Sequence, residues 1–526
     1  MLRDLLPAIT GSSPESLPAA VVHRAFEIAT LPIPFGGCGL RSALTVSPAA
    51  FVSSFSASQR LFREYNDALG ALFTWPSPSQ GQLPVISSLP LLRQTYMDSF
   101  GKSHQAVPNG PEMHSQIPII QEVWRCCTWV ESLAKLAEKQ VQAKDTAMKT
   151  WGNQVRSYWQ STYPDLKKLI SNLDYSSPAP IRPWQSGNYS NIQQKDATIP
   201  IAMLQRSLLW DSFRQSEATA KKCFQRQLQF VEHHGQLSGG FLYALDGPDQ
   251  SYSLSAPLFR YALTNRLFLP MASETAPGFE CPTCTTAFSE ASDMLAHLRA
   301  SARCAGTNRH HNLNKAMQLG FQRAGVRFLR EGDRGVHNRL EISRDPAKRA
   351  DALIPRLGTD GRDIILDFSG VDLYAQCHSL ANPMWAVSHR VRTAFAEESP
   401  RDFDWDSLPP ADVFLSLTLE ARSLLKHHQN AALCNGRGCE FLAPVFSTGG
   451  AVSSDFATVL RILTRAGSLP FLAPWLCRTP VAACVTRVAI SLLRDSLGLL
   501  QTAAARALPA GSFPPEFSTL SQVFIE

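Results

Sequence analysis

Lys348-Arg349-Ala350-Asp351-Ala352-Leu353-Ile354, then a turn holding Gly358 and Gly361, then Arg362-Asp363-Ile364-Ile365-Leu366-Asp367-Phe368-Ser369, is the stretch whose reading decides the fold. Two short apolar runs separated by a glycine-containing turn predict adjacent strands over residues 350–354 and 363–371. Along the second strand Asp363, Ile365, Asp367 and Ser369 alternate onto one face, and Ile364, Leu366 and Phe368 onto the other. Each strand carries an acid near the same end, Asp351 and Asp367. Carboxylates so paired can hold a divalent cation against a phosphate. On these residues alone, a turn flanked by solvated aspartates is the alternative.

Working outward, the patterns predict a helix over 312–325 and a strand over 326–329 upstream. Downstream they predict a helix over 412–433 and a short apolar strand over 440–446. The order helix, strands, helix, strand defines an α/β core over 309–466. The paired acids have the logic of a PD-(D/E)xK nuclease, in which Asp351 and Asp367 bind Mg²⁺ or Mn²⁺. Lys426 on the downstream helix, or Lys348 at the strand start, would orient the attacking water and stabilise the charge at phosphorus.

Before this core comes Cys281-Pro282-Thr283-Cys284, with Phe288, Met294, His297 and Cys304. Twelve residues separate Cys284 from His297, the spacing of a small ββα-type finger with a thiolate knuckle on a hairpin and a histidine on the facing helix. Phe288 and Met294 would form its miniature core, and Cys304 would replace the usual last histidine as the fourth Zn²⁺ ligand. The helix positions Asp293, Ala296 and Arg299 form no clear base-reading set, so a structural or general DNA-contacting role stands beside sequence reading as an equal alternative for the finger.

The 526 residues carry a net charge of +6, and residues 297–350 alone hold twelve Lys or Arg against four Asp or Glu. Arg299, Arg303, Arg309, Lys315 and Arg349 are the candidate phosphate contacts; a solvated basic face is the alternative reading. A hydrophobic content of 44% and 18% charged residues exclude a disordered chain. The first residues lack a secretory pattern, and Arg478, Arg487 and Arg494 interrupt the most apolar late region, so an intracellular, nuclear or cytoplasmic protein without a membrane span is expected. Of the twelve cysteines, one group has ligand spacing, which disfavours a disulfide framework.

The fold class expected is a multi-domain α+β protein. A helical region over 1–174, with amphipathic stretches at 120–145 and 148–173, is broken by a Pro- and Ser-rich loop at 75–91. A linker over 175–200 contains Pro178, Pro180, Pro183 and Gly187. A helical block over 201–275, the finger over 276–308, the core over 309–466 and a helical tail over 467–526 follow.

These landmarks resemble, in order, the C-terminal portions of non-LTR retrotransposon reverse transcriptases that carry a restriction-like endonuclease. Leu31-Pro32-Ile33-Pro34-Phe35-Gly36-Gly37-Cys38-Gly39-Leu40-Arg41-Ser42 looks like the family's post-polymerase segment, and 260–270 resembles the stretch before its finger. Cys281, Cys284, His297 and Cys304 match its zinc ligands. Arg309-His310 and Arg330-Glu331 occupy the next landmarks, Lys348 to Asp351 and Asp367 fall on its two acidic motifs, and Cys434, Gly438, Phe441, Pro444 and Thr448-Gly449-Gly450 match its late strand and turn. The resemblance spans about residues 25–505 and implies a restriction-endonuclease-like core, DNA or RNA as partner, and a reverse transcriptase supplied separately. The departures are specific. No Asp-Asp pair is present to hold polymerase metals, Arg349 replaces the usual Pro, and Ser369 stands where a Lys is expected. Of a Lys-x-x-Lys-Tyr motif only Lys426 remains, with Gln429 and Asn430 at the other positions, and Ser447 falls where relatives carry Glu. Two readings stay open: a nucleic-acid-binding protein with a metal-dependent nuclease core, and a non-catalytic zinc-finger DNA- or RNA-binding protein. A folded fragment without a role of its own fits the basic surplus less well.

Overall fold

The computed structural model describes residues 17–40, 151–171, 194–243, 254–269, 279–288, 307–330, 349–371, 410–466 and 484–494 apart from short gaps, with isolated positions at 46–57, 135–150, 294, 297–298, 333 and 340. The chain divides into two units, one of Phe26–Thr150 and Tyr175–Glu217, the other of Met1–Ala25, Trp151–Asp174 and Ala218–Glu526. The amphipathic stretch expected at 120–145 and the loop at 75–91 lie mostly or wholly outside the described residues.

Helix α1 (Ala19–Thr30) ends in a turn that explains one glycine motif. Gly36 and Gly39 have φ of 88° and 72°, and a Cβ on Gly37 would stand 2.0 Å from the Leu31 carbonyl oxygen, so this reversal requires glycine. In the same unit Gln205 of helix α2 (Gln194–Ser216) donates its amide to the Glu27 carbonyl at 3.0 Å and the Thr30 hydroxyl at 2.9 Å. The α2 helix starts inside the stretch expected as a linker. Pro200 lies within it and lacks the N–H that would reach back to Asp196, but Ile201, Leu204 and Leu208, with Leu209 and Phe213 four residues apart beside them, continue a buried face at helical spacing that outweighs the one lost bond.

The other unit contains α3 (Ala220–Glu232), α4 (Ala256–Arg266), the hairpin β1 (Phe279–Glu280) and β2 (Ala287–Phe288), and α5 (Thr307–Arg323). Then come β3 (Leu329–Arg330), β4 (Ala352–Ile354), β5 (Asp363–Leu366), β6 (Ser369–Val371), α6 (Ala411–Gly436), β7 (Cys439–Leu442), β8 (Val445–Ser447) and α7 (Ser454–Ala466). The sheet order is β3-β4-β5-β7: β4 pairs antiparallel with β3 and β5, whereas β7 joins β5 in parallel. A parallel neighbour needs a long crossover, and α6 lies within it.

The expected strand over 363–371 is one extended run with a break. Ile364, Ile365 and Leu366 pair with Glu440, Phe441 and Leu442, and Ser369 resumes opposite Val445 in the short β6/β8 ladder. The interruption at Asp367 and Phe368 faces Ala443 and Pro444, and Pro444 has no N–H to give to a ladder. The same proline divides the expected 440–446 strand into β7 and β8.

Alternation sorts the apolar residues into two cores. Ile364, Leu366 and Phe368 pack with Leu313, Met317 and Phe321 of α5 and Phe456, Val459 and Leu463 of α7. Leu353, Ile365 and Phe441 pack with Leu340 and with Cys434 of α6. The sheet is therefore covered by helices on both faces. Ala350 and Leu353 enter the same core although three residues apart, so regular alternation fails at Asp351. Residues 484–494, the described part of the expected tail, are helical, and Cys484, Val488 and Leu492 join the first core. No helix among the described residues is long and apolar enough to cross a membrane.

Candidate functional site

The β4/β5 ladder ends at the Ala352 and Leu366 pair; Asp351 and Asp367 are the next residue on each strand, and the Asp351 N–H donates to the Leu366 carbonyl at 2.9 Å. Asp351 Oδ2 accepts the Phe368 N–H at 2.6 Å, so the break in the second strand is held by the acid of the first. Its other oxygen lies 2.7 Å from Nε2 of His310, in the first turn of α5. Asp367 Oδ1 lies 2.5 Å from Nζ of Lys426, and Oδ2 accepts the Asn430 amide at 3.3 Å. Lys426 also donates to the Phe368 carbonyl at 2.9 Å, and Arg422 Nε donates to Ser369 Oγ at 3.0 Å. Arg422, Lys426 and Asn430 recur every four residues, so one stripe of α6 delivers all three.

The site is largely enclosed: the side chains of Lys426, Asp367 and Asp351 are 11, 14 and 14% exposed, that of His310 39%. Burial pushes the Asp367 carboxyl above the usual range against the opposing charge of Lys426, and the Asp351 anion adds to the rise. The hydrogen bond to Asp351 raises His310 in spite of its burial. Burial lowers Arg422, with Asp367 opposing. Two carboxylates bordered by a lysine, an arginine and an imidazole offer hard oxygens to a cation and positive charge to a phosphate.

Asp351, Asp367 and Lys426 of the sequence reading thus come together, whereas Lys348 lies outside the described residues. The sequence patterns assign no chemical role to His310 or Arg422, and Asn430 enters them only as a departure from the family the chain resembles. The four-residue repeat on α6 was the available signal for the last two. Asp363 plays a different part, accepting the Arg356 N–H at 3.1 Å to fasten the turn between the strands.

A second polar group lies deeper. Asp455 Oδ2 meets His427 Nε2 at 2.6 Å, the Ala443 N–H at 2.7 Å and the Ser423 hydroxyl at 3.1 Å. Glu420 accepts the Ser454 N–H at 2.6 Å and its hydroxyl at 2.8 Å, tying α6 to the start of α7. Burial pushes Glu420 up to about 7. Burial acts on Asp455 in the same sense, but the hydrogen bond and charge of His427, with the bonds from Ala443 and Ser423, hold it below the usual range.

In the finger, the Cys281 N–H donates to the Thr286 carbonyl and the Thr285 N–H to the Cys281 carbonyl, both at 2.9 Å, which closes the knuckle. Cys284 Sγ is 3.1 Å from His297 Nε2, and the donor atoms of Cys281, Cys284 and His297 lie within 4.8 Å of one another. That span suits tetrahedral ligands at about 2.0–2.3 Å from one zinc ion. Phe288 packs on the His297 ring at 4.9 Å, and Met294 is fully buried in a cluster with Phe241, Leu258 and Ile490. Cys304, Arg299 and Arg303, with Asp293 and Ala296, lie outside the described residues; Arg309 falls in the first turn of α5, Lys315 is exposed on it, and Arg349 is half-buried at the strand entrance.

No protein-family description, no curated protein and no solved structure matches the chain.

Proposed function

We propose that this protein binds nucleic acid and that its α/β core performs metal-dependent cleavage of phosphodiester bonds, in keeping with its resemblance to retrotransposon proteins of the restriction-like endonuclease class. The observation that carries this reading is the meeting of Asp351, Asp367 and Lys426 at the break between β5 and β6. Asp351 and Asp367 would hold Mg²⁺ or Mn²⁺, which supplies Lewis acidity and a water of lowered pKa when bound. Lys426 is held by the Phe368 carbonyl and by Asp367 Oδ1, so the donor that Asp367 gives up on binding the cation can orient a water or a phosphate oxygen. Arg422 adds the charge that Ser369 lacks and is positioned by the Ser369 hydroxyl. The test is nicking of supercoiled plasmid in Mg²⁺: wild type nicks, and Asp367→Ala does not.

A second reading, a nucleic-acid-binding protein without catalysis, draws on one observation: each acid already has a protein partner, Lys426 for Asp367 and His310 for Asp351. Intact plasmid with wild type, together with unimpaired DNA binding, would establish that reading instead.

Both readings share the finger and the basic surface. Cys281, Cys284, His297 and Cys304 would hold one structural zinc ion, and metal analysis of purified protein is expected to find it. Cys284→Ser should lower the zinc content; an unchanged content would contradict the ligand set. Affinity for duplex DNA should fall steeply with salt. Four contacted phosphates weaken binding on the order of a hundredfold between about 50 and 200 mM salt through counterion release, and a flat titration would remove the nucleic-acid reading.

A further inference from the structure

We propose that His310 is a third protein ligand of the cation site and gives it a preference for Mn²⁺ over Mg²⁺. The inference rests on Asp351 and Asp367 being metal ligands and adds a nitrogen donor from a separate element, α5. His310 Nε2 lies 2.7 Å from Asp351 Oδ1. Neighbouring ligands at right angles on an ion about 2.1 Å away are separated by about 3.0 Å. The pair therefore needs to open by only a few tenths of an ångström to share an ion, with release of the proton between them.

A second observation lies beside this pair. Asn314, one helical turn further along α5 and 8% exposed, places its amide nitrogen 3.5 Å from the same Nε2, and its Oδ1 is buried with no hydrogen-bond partner among the described residues. A water on an ion held by His310 and Asp351 would give that oxygen a donor. The ion would also draw in Asp367, because among the described residues the three donors do not yet lie within 4.8 Å of one another. Asp367 closes the site by turning one oxygen away from Lys426. Imidazole is a borderline donor that favours first-row transition ions over Mg²⁺, so a nitrogen in the set shifts the preference toward Mn²⁺.

The test uses the zinc-loaded full chain and Mn²⁺ as probe, followed by electron paramagnetic resonance with Mg²⁺ as competitor. Wild type is expected to bind one Mn²⁺ that Asp367→Asn abolishes, and the spin-echo spectrum should carry the modulation of a directly bound imidazole nitrogen. His310→Gln should remove that modulation and weaken Mn²⁺ by about tenfold or more, with a smaller change for Mg²⁺. The nitrogen signal on wild type needs no variant to fold. If Mn²⁺ binds and depends on Asp367 but shows no nitrogen coupling, His310 only orients Asp351 and this inference fails while the cation site stands. If Mn²⁺ does not bind, or binds regardless of Asp367, the cation site itself is wrong.

Discussion

Lys426→Met is expected to lower stability by about 3–5 kcal/mol, because it leaves the Asp367 carboxylate enclosed without its counter-charge. Lys426 and Asp367 are 11 and 14% exposed, so water can replace the lost ammonium only poorly. Asn430 remains on the other oxygen, but at 3.3 Å its amide is a weak neutral donor. Methionine keeps the apolar stem, so the loss reports the charge and not the packing. The double variant Asp367→Asn with Lys426→Met should recover most of the stability, since removing both partners strands neither. Urea midpoints of the four proteins measure this; a double variant as weak as the sum of the two singles would show that the pair is not the source. Cleavage should be lost in all three variants, so stability and activity separate in the double.

Raising the pH is expected to weaken the fold, in large part through Glu420. Its folded pKa of about 7 stands above the ordinary 4.5. A carboxyl raised in this way contributes stability that is fully present below the unfolded value and is lost as pH rises through the folded one. Linkage over that interval gives about 3 kcal/mol. His310, raised by its hydrogen bond to Asp351, and Asp367, raised by burial, act in the same direction. Asp455 acts oppositely: held below its ordinary 3.8, it stabilises above that value and loses its contribution as pH falls. The optimum should therefore lie between the two, near pH 4.5, with a decline toward neutrality. Glu420→Gln keeps the shape and an acceptor for the Ser454 N–H but cannot ionise, so its decline from pH 5 to about 7.5 should be shallower than that of wild type, with the remainder coming from Asp367 and His310. Denaturation midpoints across that range decide it. A variant that declines as steeply as wild type places the pH dependence elsewhere.

How much of this was legible in the sequence depends on the range of the interaction. The apolar runs around Leu353 and Ile365 and the turn with Gly361 are local, and they specify a hairpin that brings Asp351 and Asp367 to the same end of the paired strands. The Cys281 to Cys284 knuckle is equally local. The partners of the acids are not: His310 reaches Asp351 across 41 residues, Arg422 reaches Ser369 across 53, and Lys426 reaches Asp367 across 59. Which helical residue arrives at a strand end depends on packing angle and helix start, which periodicity does not encode. The break at Asp367 follows from Pro444, which lies between two strands far along the chain, so no local pattern around Asp367 signals it. The helical start at Gln194 was obscured by Pro200, whose composition signal points to a linker although the buried stripe after it favours a helix.

If Asp351 and Asp367 jointly hold the cation for cleavage, a plasmid-nicking time course with wild type, Asp351→Asn and Asp367→Asn, run at protein concentrations giving equal DNA occupancy, will separate the wild type from both variants. Nicking by wild type should require Mg²⁺ or Mn²⁺, stop with chelator, and fall by at least about a hundredfold in each variant at unchanged occupancy. Nicking by the two variants at the wild-type rate, or none by wild type with either metal at full occupancy, would contradict that joint role.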